Sequence, residues 1–232
     1  MRKLEGKIAV VTGGNSGIGL ATAQRFAENG AHVFILARRS SELENAVKMI
    51  GKNVTGVEGD VANLADLGRL YDAARQKGAI DILFANAALG EFAPVGQVSE
   101  AHLDRVLGLN VKGLLFTVQK ALPLLRDGGS IILNALPASA QDAPALGMYG
   151  AVRAAMRSLA RSWTVDLDSR QIRVNVISPL PSDAPRPRER EKVRAKRART
   201  TPDEVADIAS VLASDESSFI TGIEVLVASG SA

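Results

Sequence analysis

The chain has 232 residues, 46% of them hydrophobic and 23% charged, with a formal net charge of +3 and no cysteine. That length suits one domain with a substantial core, and the missing thiols exclude a disulfide framework or a thiolate metal site. No stretch approaches the roughly 20 apolar residues of a membrane span, and Met1-Arg2-Lys3-Leu4-Glu5-Gly6-Lys7 has too much charge and too short an apolar run for a signal peptide, so a soluble cytoplasmic protein is expected.

The first element is an apolar run, Ile8-Ala9-Val10-Val11-Thr12, of buried-strand length. It passes directly into Gly13-Gly14-Asn15-Ser16-Gly17-Ile18-Gly19 and then a helical pattern from Leu20 to Glu28. Such a turn gathers backbone N–H groups and a helix N-terminus around an anion, usually a pyrophosphate. Side chains at the glycine positions would block the phosphate or hold helix and strand apart. Strands are predicted near 7–12, 31–37, 53–58, 80–85, 129–135, 171–177 and 222–227. Helices are predicted near 17–29, 41–50, 63–77, 99–126 (broken or bent), 147–168 and 202–213. Strand and helix alternate almost to the end, which argues for an α/β fold on a parallel sheet. No repeat or linker divides the chain, so residues 1–232 read as a single domain. The last helix opens on Thr201-Pro202-Asp203-Glu204, the pattern of a capping box with proline in the first turn.

Between Ser178 and Thr201 the alternation lapses. Pro179, Pro181, Pro185 and Pro187 are followed by Arg186 to Arg199, in which eight basic residues stand against Glu189 and Glu191 for a local net of +6. The overall +3 therefore conceals a remainder of −3. Segment 178–201 reads either as a solvated helix or mobile loop, or as an anion-facing lid where ligands enter such sheets. No aromatic residue interleaves the run, which argues against nucleic acid as a partner.

The second strand, Val33-Phe34-Ile35-Leu36, exits into Ala37-Arg38-Arg39. An acidic residue at that exit would bind a ribose 2′-OH and repel a 2′-phosphate. Two guanidinium groups and no carboxylate favour the phosphate, hence NADP(H) over NAD(H). The plainer reading is a pair of exposed arginines at a strand end. His32 and His102 have no partner at metal-ligand spacing and read as structural, so no metal is expected. Met148, Met156 and Trp163 suit packing positions.

Together these residues resemble the short-chain dehydrogenase/reductase family over nearly the whole chain. Thr12-Gly13 followed by Gly17-Ile18-Gly19 matches that family's cofactor loop, which implies cofactor contacts at Gly13, Asn15, Ser16, Gly17, Ile18 and Gly19. Asp60-Val61 matches the pair that contacts adenine, and Asn86-Ala87-Ala88 is similar to the family's Asn-Ala-Gly segment with Ala88 in place of glycine. Asn110 matches the helix asparagine of the catalytic tetrad, and Tyr149 its general acid/base. Residue 153 lies one turn on, on the same helix face. It is arginine, where the family has a lysine that lowers the tyrosine's pKa and holds the nicotinamide ribose.

Other departures cluster nearby. Leu136 stands where the family has the serine that holds the substrate oxygen. Losing one such donor typically costs ~10²–10³ in turnover. Ser139 follows three residues on, but Pro137 restricts its path. Ser178-Pro179-Leu180 replaces a Pro-Gly pair, Ala184 stands near a threonine position, and Val227-Ala228-Ser229-Gly230 departs from an acidic-glycine ending. The adenosine half of the site is intact and the nicotinamide and substrate half is altered.

The resemblance implies a Rossmann-like doubly wound parallel sheet of about seven strands with helices on both faces. It also implies an oxidoreductase moving hydride between a nicotinamide and a small carbonyl or alcohol substrate. Tyr149 would pass the proton, Asn110 would support a water relay, and Arg153 would take the lysine's place. Tyr149, Arg153 and Pro179 would also touch the cofactor, alongside Arg38, Arg39, Asp60, Val61, Asn86 and Ala87. A homodimer or homotetramer is a further implication. With Leu136 and Arg153 as they stand, weak or altered activity is expected. Two other readings share these residues: a catalytically silent protein that binds NADP(H) and acts through partners, and a non-redox enzyme that reuses the pocket.

Overall fold

All five residues of the first strand, β1 (Ile8–Thr12), are buried, as expected for a parallel strand covered by helices on both faces. The computed structural model of the protein describes residues 2–86, 90–135, 145–179 and 200–228. The expected lid lies outside these residues apart from its ends, as do Ala87, Ala88, Leu136, Ser139, Leu180 and Ala184. The other strands are β2 (His32–Ala37), β3 (Val54–Glu58), β4 (Ile80–Ala85), β5 (Leu125–Asn134), β6 (Arg173–Pro179) and β7 (Glu224–Val227). They form one sheet in the order β3-β2-β1-β4-β5-β6-β7, parallel throughout.

Strand periodicity sorts the core into two layers. Ile8, Val10, Phe34, Leu36, Leu83 and Ile131 point to one face, where they meet α3 (Leu64–Lys77), α4 (Glu100–Leu107), α5 (Leu114–Ala121) and α6 (Gly147–Asp166). Ala9, Val11, Val33, Ile35, Phe84 and Ile132 point to the other, against α1 (Gly17–Glu28), α2 (Ser40–Ile50) and α7 (Pro202–Ala213). Strand order reverses between β1 and β4, and a crevice opens there at the carboxyl ends of the strands. This is the Rossmann-like, doubly wound, single-domain architecture implied by the sequence.

The long helix expected over 99–126 is interrupted by a π turn, Gly108–Gly113, between α4 and α5. Such turns insert an extra residue and re-aim the side chains around them. The boundary after it needs correcting. The helix stops at Ala121, and β5 begins at Leu125 rather than near 129. Leu125 pairs with Ile80, and the register then shifts before Ser130 pairs with Ile82, so Gly128 and Gly129 lie well inside an irregular strand rather than at its start. Among the described residues no helix is long and apolar enough to cross a membrane.

The start of α7 is a capping box: Thr201 Oγ1 accepts from Glu204 N, and Glu204 Oε2 accepts from Thr201 N at 2.7 Å. This helix packs on α1, where Arg25 pairs with Asp207 and Asn29 Nδ2 donates to Ser210 Oγ at 3.2 Å. Thr201→Ala is expected to destabilise the protein by about 1 kcal/mol, read as a melting temperature lower by roughly 2–4 °C in a thermal scan.

Candidate active site

At the carboxyl end of β1 the chain turns on glycines whose roles differ. Gly13 and Gly17 have φ of 63° and 51°, the left-handed region that side chains disfavour. A Cβ on Gly17 would meet nothing within 4 Å, so this residue faces open space. Gly19 is the opposite case: a Cβ there would lie 2.0 Å from Gly13 O and 2.6 Å from Asn86 Nδ2. Ser16, the N-cap of α1, makes no side-chain capping bond. The first turn of a 12-residue helix is thereby turned toward the crevice without a side-chain cap.

Asn86, just past β4, holds this turn in place. Its N–H donates to Thr12 Oγ1 at 3.0 Å, and its Nδ2 donates to Thr12 O at 3.1 Å and Gly13 O at 3.2 Å. Asn134, the last residue of β5, donates from Nδ2 to Asn86 Oδ1 at 2.8 Å. The ends of β1, β4 and β5 are thus joined through two amide side chains. Asn134 Oδ1 is buried and has no hydrogen-bond partner among the described residues.

A cleft of about 230 Å³ opens beside the turn, lined by Gly13, Asn15, Ser16, Arg38, Arg39, Asp60, Val61 and Asn86 among others. The structure thus brings most of the expected adenosine-side residues together. Asp60 donates its N–H to Asp66 Oδ2 at 2.8 Å, a bond that holds the Asp66 carboxyl below its ordinary range. Val61 is buried against Gly113 of the π turn, where a Cβ would approach Val61 Cγ2 to 3.2 Å. The strand exit differs from the sequence expectation of arginines without a carboxylate. The first turn of α2 returns Glu42 to the exit, where Oε2 lies 2.7 Å from Arg39 Nη2 and accepts from Asn15 Nδ2 at 2.7 Å. Arg38 approaches Asp60 only to 4.0 Å, and its side chain is 65% exposed.

At the other end of the crevice, Tyr149 is the third residue of α6 and is buried, with its ring 5.3 Å from that of Phe92. Burial pushes its phenol up to about 12, and the charge of Arg153 works in the opposite direction. Arg153 Nη2 lies 3.4 Å from Glu224 Oε1. The same carboxylate accepts from Ser178 Oγ at 2.7 Å, and its other oxygen lies 2.8 Å from Arg157 Nε. Arg153 Nε is buried without a hydrogen-bond partner among the described residues. Asn110 sits in the π turn, buried, with Nδ2 donating to Val106 O at 2.9 Å, and α6 packs against that turn. Pro179 is buried at the end of β6, paired with Val227.

Three polar residues of the site escaped the sequence reading. Glu42 carried a usable signal, since it lies three positions after Arg39 at the start of a helix. Asn134 and Glu224 carried none, because their partners are distant in sequence: Glu224 meets Ser178 and Arg153 across 46 and 71 residues. His102 is buried, with Nδ1 3.2 Å from Glu91, and fits the structural reading.

Comparison with known proteins gives consistent results. A family model described as enoyl-(acyl carrier protein) reductase matches residues 13–232. The chain is 43% identical over 242 residues to oxidoreductase asL5 of Sarocladium schorii, covering 99% of this chain and 97% of that protein. Among solved structures it is similar to the 3-ketoacyl-(acyl-carrier-protein) reductase of Brucella melitensis complexed with NADH, at 30% identity and a TM-score of 0.88 over 98% of each chain. A short chain dehydrogenase of Burkholderia cenocepacia in complex with NADP is 26% identical with a TM-score of 0.86, again over 98% of each chain.

The state of Tyr149 has a consequence for stability. The folded chain holds its proton above the ordinary value of 10.0, and burial pushes Tyr71 up as well. The unfolded chain therefore loses these protons first, and the contribution of Tyr149 is complete below pH 10 and lost as pH rises toward about 12. Denaturant unfolding across that window should show falling stability in the wild type and a shallower fall in Tyr149→Phe.

Proposed function

The chain belongs to the short-chain dehydrogenase/reductase family, and on that premise we propose that it is an NADP(H)-dependent oxidoreductase acting on a small carbonyl or alcohol, with low turnover. The observation that carries the reading is the glycine turn clamped by Asn86 where the strand order reverses. The residues present fit a dinucleotide. The open space at Gly17 leaves room for a pyrophosphate, the first turn of α1 faces it, and the exposed Arg38 is within the same cleft. In this reading Gly13 to Gly19 hold the phosphates, Asp60, Val61, Asn86 and Ala87 hold the adenosine portion, and Arg38 and Arg39 face the 2′-phosphate. When bound, the nicotinamide supplies the hydride donor or acceptor.

Tyr149 then exchanges a proton with the substrate oxygen, Asn110 supports a relay of water to that phenol, and Pro179 borders the reacting end. A phenol pushed up to about 12 keeps its proton at neutral pH. That state suits donation of the proton to a carbonyl oxygen. Arg153 occupies the lysine's place with its charge turned to Glu224, which weakens its pull on the phenol. Leu136 offers the substrate oxygen no hydrogen bond. A homodimer or homotetramer fits the exposed Phe219 and Leu226 on and beside the edge strand β7. The engagement of Arg153 by Glu224 also favours a second reading, a protein that binds NADP(H) without turning it over. A non-redox use of the pocket has no such observation behind it.

NADPH should bind more tightly than NADH in a fluorescence titration, and replacing Arg38 and Arg39 with alanine should narrow the difference. A charge-assisted contact of this kind contributes about 1.5–3 kcal/mol, or at least tenfold. Equal affinities, unmoved by the double substitution, would sink the cofactor assignment.

Turnover over a panel of carbonyl compounds should be weak in the chain as it stands and should rise in Leu136→Ser combined with Arg153→Lys. Tyr149→Phe should remove whatever activity there is. Tight cofactor binding with no turnover in any of these proteins would favour the silent reading instead.

A further inference from the structure

Glu42 stands at the strand exit as a partner to both of the donors that an anion there would use. Its Oε2 accepts from Asn15 Nδ2 of the glycine turn at 2.7 Å and lies 2.7 Å from Arg39 Nη2. An amide N–H and a guanidinium converging on one point form an anion-recognition set, and here one carboxylate fills it. Arg38 is differently placed: its side chain is 65% exposed, and Asp60 is 4.0 Å away, beyond hydrogen-bonding distance. An exposed ion pair between residues three apart is weak and exchanges readily. The Asn15 bond draws the same carboxylate across to a loop 27 residues earlier in the chain.

We propose that Glu42 is a built-in competitor for the 2′-phosphate of the cofactor, occupying the donors of Asn15 and Arg39 until a phosphorylated ribose displaces it. The proposal rests on the reading of this cleft as the adenosine-side nucleotide site. Glu42 is in the first turn of α2 with 37% of its side chain exposed, so it can rotate toward solvent without disturbing the helix. Arg38 then makes the phosphate's first contact, and Asn15 and Arg39 join once released. A 2′-hydroxyl leaves Glu42 where it is and can donate to it. The single carboxylate thus penalises the phosphate and tolerates the hydroxyl, and residue 42 sets how far the two arginines can favour NADP(H).

The test is direct binding of NADPH and NADH, by fluorescence or calorimetry, to the full chain, Glu42→Gln and Glu42→Ala, with unliganded melting temperatures recorded alongside. Both variants are expected to tighten NADPH about tenfold while NADH stays unchanged or weakens slightly. An unchanged NADPH-to-NADH ratio in both variants overturns the proposal. So does weaker NADPH binding accompanied by a lower melting temperature, which would make Glu42 a strut between turn and helix. Failure of the folded wild type and both variants to bind either nucleotide has a different meaning: it removes the nucleotide site itself, and the competitor with it.

Discussion

The crevice depends on how the end of β1 is satisfied where it leaves the sheet. Backbone carbonyls there lose their ladder partners, and buried carbonyls need others. Asn86 supplies them, donating from one amide to Thr12 O and Gly13 O, while Asn134 takes up the oxygen of that amide. The glycine turn is held between this clamp and α1, and the fit at Gly19 leaves no room for a methyl group. Loop, helix start and three strand ends are consequently one rigid unit. A site that must present N–H groups to an anion needs that rigidity, because each donor contributes only if it is already aimed.

The two ends of the crevice differ in their electrostatics. At the end bordered by the glycine turn the charges are solvated: Arg38 and Arg39 are mostly exposed, and their pairings with Asp60 and Glu42 are screened and exchangeable. At the end beside Tyr149, Arg153 and Glu224 are largely buried, with side chains 14% and 19% exposed. There a charge left without its partner is costly, so the pairing is persistent. The charges at the first end can exchange partners with solvent. The second holds its cation against the sheet.

Most of the fold was legible in the sequence because its signals are local. Ile8 to Thr12 and the glycines that follow declare strand, turn and helix within a dozen positions, and Thr201 to Glu204 declares a helix start in four. The boundary at β5 was not, since Leu125 joins the sheet ahead of a register shift, inside the span that read as the end of the preceding helix. The site divided along the same line. Tyr149 and Arg153 were visible as a pair one helical turn apart, yet nothing near them in sequence announced that Glu224 would take up the guanidinium. Glu42 was within reach of helix geometry, and the strand-end reading stopped just short of it.

The carboxylate of Glu224 also bears on how substitutions at position 153 combine with others. It serves Arg153, Arg157 and Ser178 at once, so the four residues form one coupled set and their substitutions cannot be expected to add. A lysine arriving at 153 meets an acceptor already oriented by two other donors, and a neutral residue arriving at 224 strands a buried guanidinium. Loss of Glu224 alone is therefore the costly change, because it leaves a buried charge unpaired. Position 153 is thus constrained by the partners of Glu224 as well as by any role in the reaction.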